Sequence, residues 1–240
     1  EIFRLINQGA NINTRNSFDE TAMMRASLYD KTEVVRLLIN TGADVNAKTS
    51  HGKTELMKAS CYGRMEIVRM LLAKNARVNA RANNGETALM EASYYGNSEI
   101  VKLLLAEGAD VNAKDNRNNT ALIRASHNGR FEVIKLLLAK NADVNVKTIS
   151  GRTSLMEAIR TGNFEIIKLL VKKGADINVK SNEGDTALIL ANTQREMTEL
   201  LIRKGANINV KNKNGKTALM INAQTILTAA AEVTPNRNLE

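Results

Sequence analysis

Thr21, Thr54, Thr87, Thr120, Thr153 and Thr186 recur at a constant interval of 33 residues, each opening a variant of T-x-L-M-x-A-S. Self-similarity at a fixed period means that one supersecondary unit is copied along the chain. Such units contact only their neighbours, so the expected product is a stacked array rather than a body with one central core. What the chain can do is thereby limited to what a stacked array can do.

One full unit runs from Asn79 to Val111, and frames of the same kind begin at Asn13, Asn46, Asn112, Asn145, Asn178 and Asn209. After the threonine, Leu89, Met90 and Ala92 are spaced as on one helix face, and Ile100, Val101, Leu103 and Leu104 repeat the pattern. Each unit is therefore expected to be a helix pair plus a loop. Gly63, Gly96, Gly129 and Gly162 should close the first helix, and Gly42, Gly108, Gly174 and Gly205 the second, where the chain needs the left-handed conformation. Asn75 and Asn141 replace glycine at two second-helix ends, and asparagine is the next most tolerant residue there. Two residues before each threonine stands a turn former: Asp19, Gly52, Gly85, Asn118, Gly151, Gly184 and, in the last frame, Gly215. The threonine is then placed to cap the first helix with its side-chain oxygen.

On these residues the chain resembles the ankyrin repeat family, whose unit is about 33 residues long with a β-turn and two helices. The resemblance implies an all-α fold, an ankyrin-repeat solenoid of helix-turn-helix units with short β-hairpin-like loops. The array is expected over residues 1–223, with a partial repeat at 1–12, repeats at 13–45, 46–78, 79–111, 112–144, 145–177 and 178–208, and a C-terminal partial repeat at 209–223. Residues 224–240 read as a helix extension and tail, with Leu239-Glu240 as a tag scar. The departures lie in the family's T-P-L-H signature. Its proline position holds Ala22, Glu55, Ala88, Ala121, Ser154, Ala187 and Ala218, and its histidine position holds Met24, Met57, Met90, Ile123, Met156, Ile189 and Met220. Apolar packing is expected in place of the polar contacts of that histidine. The sixth unit is two residues short, and Asn222 stands where the seventh should carry a small apolar residue, so the C-terminal end is expected to be weakest.

No run of about 18 apolar residues is present, so no membrane span is predicted. Cys61 is the only cysteine, which excludes an internal disulfide and points to a cytoplasmic setting. The motifs of nucleotide, hydrolase and zinc-protease sites are missing, and two histidines with one cysteine do not make a zinc site. No catalysis, cofactor or metal is therefore expected, and the chain is read as a monomer.

The family resemblance places the two residues after each A-S on the concave, partner-facing side of the array. Here those pairs are Leu28/Tyr29, Cys61/Tyr62, Tyr94/Tyr95, His127/Asn128 and Arg160/Thr161, which include every tyrosine of the protein. Tyrosine offers a large rigid surface with a polar end and little entropy to lose, which suits it to binding. Phe18 and His51 occupy equivalent fingertips. The fifth position of the first helix carries Arg25, Lys58, Glu91, Arg124 and Glu157, a mixture of signs that suits a protein partner better than a polyanion. The expected partner-binding set is Tyr29, Tyr62, Tyr94, Tyr95, His127, Arg160, Phe18, His51, Arg25, Lys58, Glu91 and Arg124.

The formal charge of +9 leaves a second reading. Arg15, Lys48, Arg81, Lys114, Lys147, Lys180 and Lys211 recur one per hairpin, and such a ladder could follow the phosphates of a nucleic acid or of an anionic membrane surface. Asp44, Asp110, Asp143 and Asp176 stand near enough to be expected as their salt-bridge partners, which makes this the weaker reading. Phe3, Phe131, Phe164 and the methionines of the first helices are expected in the core. The sequon Asn118-Asn119-Thr120 is set aside because Thr120 is needed as a cap.

Overall fold

The computed structural model describes residue 4 and residues 8–17, 19–191 and 194–221. Phe3, Phe18, Asn222, the turn at 192–193, the tail at 224–240 and much of the first partial repeat lie outside the described residues. Within them the chain is helical in pairs. These are α1 (Ala22–Leu28) with α2 (Thr32–Asn40), α3 (Glu55–Cys61) with α4 (Met65–Ala73), and α5 (Ala88–Tyr95) with α6 (Ser98–Ala106). They continue as α7 (Ala121–His127) with α8 (Phe131–Ala139), α9 (Ser154–Thr161) with α10 (Phe164–Lys172), and α11 (Ala187–Leu190) with α12 (Arg195–Arg203). The short α13 (Ala218–Ile221) stands last. The chain divides into two compact units, residues 1–116 and 117–240.

Each first helix begins where the sequence places it. The side-chain oxygens of Thr21, Thr54, Thr87, Thr120, Thr153 and Thr186 accept the backbone N–H of Met24, Met57, Met90, Ile123, Met156 and Ile189 at 3.3–3.4 Å. Every one of these threonines is buried, so the cap replaces water that cannot reach the helix end. The left-handed turns also fall where expected. Besides the glycines, Asp19, Asn75, Asn118 and Asn141 have φ of 58–61°, and Asp30 joins them at 57° in the place that Gly63 holds one repeat later.

The core follows the first helix. Met24, Met57, Met90 and Met156 are all buried, as are Leu56, Leu89, Leu122 and Leu155 beside them. The expectation of apolar packing at the histidine position therefore holds through these repeats. Met220 is the exception, 66% exposed at the last described turn. Phe131 and Phe164 also depart from the core reading, because each is only half-buried and carries Lys135 or Lys168 above its ring at 5.3 and 5.2 Å. They begin the second helices, where one side of the ring meets solvent and a lysine stem covers it.

Within unit 1, α1 packs on α3 and α3 on α5; within unit 2, α7 packs on α9, α9 on α11 and α11 on α13. Three kinds of polar stitch accompany this packing. The frame-opening asparagines are the first: Asn46 accepts from the Arg77 backbone N–H at 2.8 Å, Asn79 from Asp110 at 2.8 Å, and Asn145 from Asp176 at 2.8 Å. Asn178 makes the same bond to Asn207 at 2.8 Å, two residues earlier than the period demands, which is how the shortened sixth unit stays in register. The fingertips are the second: the backbone N–H of Asn83 donates to His51 at 2.9 Å, and Asn182 repeats this on Ser150 at 2.9 Å. The third closes the C-terminal end of α3, whose Ser60 and Cys61 carbonyls accept from Asn97 at 2.7 and 3.1 Å.

Candidate functional site

Tyr29, Tyr62 and Tyr95 end the first helices of three consecutive repeats, all in unit 1, and are 58%, 48% and 48% exposed. A helix ends there because the following residue, Asp30, Gly63 or Gly96, turns into the left-handed region. The last side chain of the helix is thus left at the rim and not drawn into the core. Tyr94 is half-buried and meets Tyr95 edge-on, with ring centroids 5.0 Å apart. The Tyr95 hydroxyl bonds with the Cys61 thiol, which raises the tyrosine, while burial pushes the thiol up. Tyr29 accepts a hydrogen bond from Arg25 at 3.1 Å, and the guanidinium also lies 5.0 Å from the ring centre.

The charges on this face are organised in diagonal pairs that sequence reasoning only half found. The fifth helix position was visible; its counterpart, the residue before the capping threonine, was not. Lys58 donates to Glu20 of the preceding repeat at 2.5 Å, and that bond holds the Glu20 carboxyl below its ordinary value. Arg25 approaches the same carboxylate at 3.5 Å. One repeat on, Lys53 reaches forward to Glu91 at 2.6 Å and to Glu86 at 3.3 Å. Burial works to lower the Lys53 ammonium, but the two glutamates outweigh it and raise the group. The signal was present in the sequence, since Glu20 and Lys53 carry signs opposite to Lys58 and Glu91 one repeat later. A cavity of about 410 Å³ opens beside these pairs, lined by Glu20, His51, Lys53, Lys58 and Asn83 among others. It joins the fingertip residue His51 to the helix residue Lys58.

Unit 2 holds the remaining described residues of the expected set. Glu157 accepts from Arg152 Nε at 2.5 Å and lies 2.8 Å from His127 Nδ1. Burial works to raise this carboxyl, yet the bonds from His127 and Arg152 prevail and hold it low. Arg160 lies 3.0 Å from the His127 ring and donates to its carbonyl at 3.1 Å. Arg124 is half-buried on α7.

The cation ladder is engaged differently from expectation. Arg15 donates to the Lys48 carbonyl at 2.5 Å, Lys48 to Arg81 at 3.0 Å, and Arg81 to Lys114 at 2.7 Å. Arg15 also pairs with Asp19 at 2.9 Å. The carboxylates of Asp44, Asp110, Asp143 and Asp176 fold back on their own turns, accepting the backbone N–H of Asn46, Asn112, Asn145 and Asn178 at 2.8–2.9 Å. An aspartate two residues before an N–H closes an Asx turn more easily than it reaches a flexible side chain. Among the described residues no cluster of His, Cys, Asp or Glu suits a metal, and no helix is long and apolar enough to cross a membrane.

Comparison with protein families agrees with this geometry. A model described as ankyrin repeats (3 copies) matches residues 1–82, 79–148 and 155–233, and one described as ankyrin repeats (many copies) matches 129–171. No curated protein matches the chain.

Proposed function

The chain belongs to the ankyrin repeat family, whose repeats generally mediate contacts with protein partners, and from that premise we propose that it is a non-catalytic module that binds a protein across the ends of its first helices and the adjoining fingertips. The carrying observation is the placement of tyrosine. In a chain with four tyrosines and no tryptophan, three stand at this one register with the fourth, Tyr94, beside them, and the three leave about half their surface to solvent. Aromatic side chains held at a rim, with charged neighbours already paired, supply contact area without a large desolvation cost. Arg25, Lys58, Glu91 and His51 belong to the same repeats of unit 1, and in unit 2 His127, Arg160 and Arg124 hold first-helix positions of the same kind. The protein acts as a monomer without cofactor, and its single half-buried thiol fits a reducing, cytoplasmic setting.

The anionic-ligand reading has less behind it, because Arg15, Lys48 and Arg81 spend donors on the next repeat's backbone. The test of the favoured reading is affinity capture with the parent chain and a Tyr62/Tyr94/Tyr95→Ala variant shown by circular dichroism to stay folded. Partners should be lost with the tyrosines. Retention of every partner would move the site elsewhere, and capture that disappears on raising salt and depends on Lys48 would favour the anionic reading.

A further inference from the structure

The cation ladder divides in two. In unit 1, Arg15, Lys48 and Arg81 each give a donor to the carbonyl one repeat on. In unit 2, Lys147, Lys180 and Lys211 are exposed, and their ammonium groups make no hydrogen bond or ion pair among the described residues. The backbone brings these three together, because their fingers are joined edge to edge. The Ile149 N–H donates to the Arg117 carbonyl at 3.0 Å, the Asn182 N–H to Ser150 at 2.9 Å, and the Lys213 N–H to Glu183 at 2.9 Å. The stacking is so close that a Cβ on Gly151 would lie 2.8 Å from the Asn182 backbone nitrogen. Three free cations thus stand at one register on consecutive fingers.

Ile149 distinguishes this row. Four residues before the capping threonine, the other frames carry Ser17, Ser50, Asn83, Asn116, Asn182 and Lys213, all polar. Ile149 stands there 61% exposed, with its backbone pinned on both sides, by the Arg117 carbonyl and by the Asn182 side chain, which donates to the Ile149 carbonyl at 2.9 Å. A branched apolar side chain held in water gains free energy when a partner covers it. The row therefore offers one apolar anchor among free positive charges, and an acidic polypeptide segment that carries an apolar residue complements both. A nucleic acid complements only the charge, and its closely spaced phosphates would also meet the carboxylates of Asp143, Asp176 and Glu183 in the same loops. Unit 1 lacks the combination, since Lys58 is held by Glu20 and Lys53 by Glu86 and Glu91. Resting on the protein-binding reading above, we infer that the finger row of unit 2 receives an acidic segment of the partner, with aspartate or glutamate facing Lys147, Lys180 and Lys211 and an apolar side chain on Ile149.

A randomised library of short peptides displayed on phage and selected on the whole chain at low salt tests this. Counter-selection uses a Lys147/Lys180/Lys211→Gln variant and Ile149→Ser, each shown by circular dichroism to stay folded. Binders that need the three lysines should be rich in aspartate and glutamate and carry at least one large apolar residue. Followed by fluorescence anisotropy, a synthetic peptide of that consensus should bind roughly 30-fold more weakly to the triple variant and about fivefold more weakly to Ile149→Ser. Lys48→Gln in unit 1 should leave its affinity unchanged. Lysine-dependent binders without acidic enrichment, equal affinity for the parent and Ile149→Ser, or tighter lysine-dependent binding of a labelled DNA oligonucleotide than of the peptide would overturn the inference. A selection that yields only binders indifferent to the three lysines, or none, would overturn it as well. The capture experiment with the Tyr62/Tyr94/Tyr95→Ala variant reads the general protein-binding proposal separately: partners lost with the tyrosines but fully retained by the triple lysine variant would sink this inference alone.

Discussion

Glu55 stands at the first position of α3, where α1, α5 and α7 carry Ala22, Ala88 and Ala121. Its side chain is 0% exposed and neither carboxylate oxygen has a hydrogen bond. Burial pushes its pKa up to about 8, with Ser27 and Lys58 drawing it back and Glu20 adding to the rise. The folded chain therefore keeps a proton that the unfolded chain, titrating near the ordinary glutamate value of 4.5, releases. Stability from this group is greatest below that lower value and falls as pH rises through the window, by about 1.4 kcal/mol per pH unit. Glu55→Ala should remove the slope. In thermal melts at about pH 5 and about pH 8, its advantage over the parent should be larger at the higher pH; an equal difference at both would mean that Glu55 ionises near its ordinary value. Glu157 shows how much context decides, because the same carboxyl type, paired with His127 and Arg152, is held low. Its contribution is present at neutral pH and is lost as pH falls through its depressed value. The sequence marks Glu55 as a departure from proline, but which of the two fates a glutamate meets depends on neighbours about 30 residues away.

Among the elements, the hairpin fingers carry more of the inter-repeat bonding than their short β-bridges suggest. Gly52 has φ +74°, and a Cβ there would lie 2.7 Å from the Asn83 backbone nitrogen and 2.4 Å from its side-chain oxygen. Gly42, at φ +95°, would meet nothing within 4 Å. The pair separates two causes that coincide at most glycines. Gly42→Ala should cost only the left-handed strain of about 1 kcal/mol, whereas Gly52→Ala must also push the next finger away and should cost clearly more. Denaturant midpoints of the two variants measure the difference, and equal losses would show that finger stacking adds little to stability. The diagonal ion pairs are the second device at this scale. Lys58→Ala leaves Glu20 largely buried without its nearest cation and should destabilise by about 1 kcal/mol or more at neutral pH. The loss should shrink in acid, where Glu20 is protonated in parent and variant alike, and a loss independent of pH would assign the effect to packing of the lysine stem.

For the molecule as a whole, the order of unfolding follows from the C-terminal repeats. α11 has four residues where the earlier first helices have seven or eight, and α13 also has four, with Leu219 and Met220 exposed. In an array held by nearest-neighbour contacts, such units open without taking distant ones along. Hydrogen exchange should show Leu200 to Ile221 losing protection well before Ile166 to Leu170 of the same unit. Uniform protection across these segments would leave the shortened sixth repeat without a mechanical consequence. The helix pairs, their threonine caps, the left-handed turns and the buried methionines were all legible in the sequence, because each follows from local spacing or from the backbone preference of a single residue type. The tyrosine register was legible as well, since it repeats with the period. What the tertiary structure alone decided is which groups meet across repeats: the forward reach of Lys48 and Arg81 to backbone carbonyls, the pairing of Lys58 with Glu20 and the dry setting of Glu55. Those outcomes depend on distances between residues about 30 to 40 positions apart, and a one-dimensional pattern carries the period of such residues but not which of several nearby partners offers the shorter hydrogen bond.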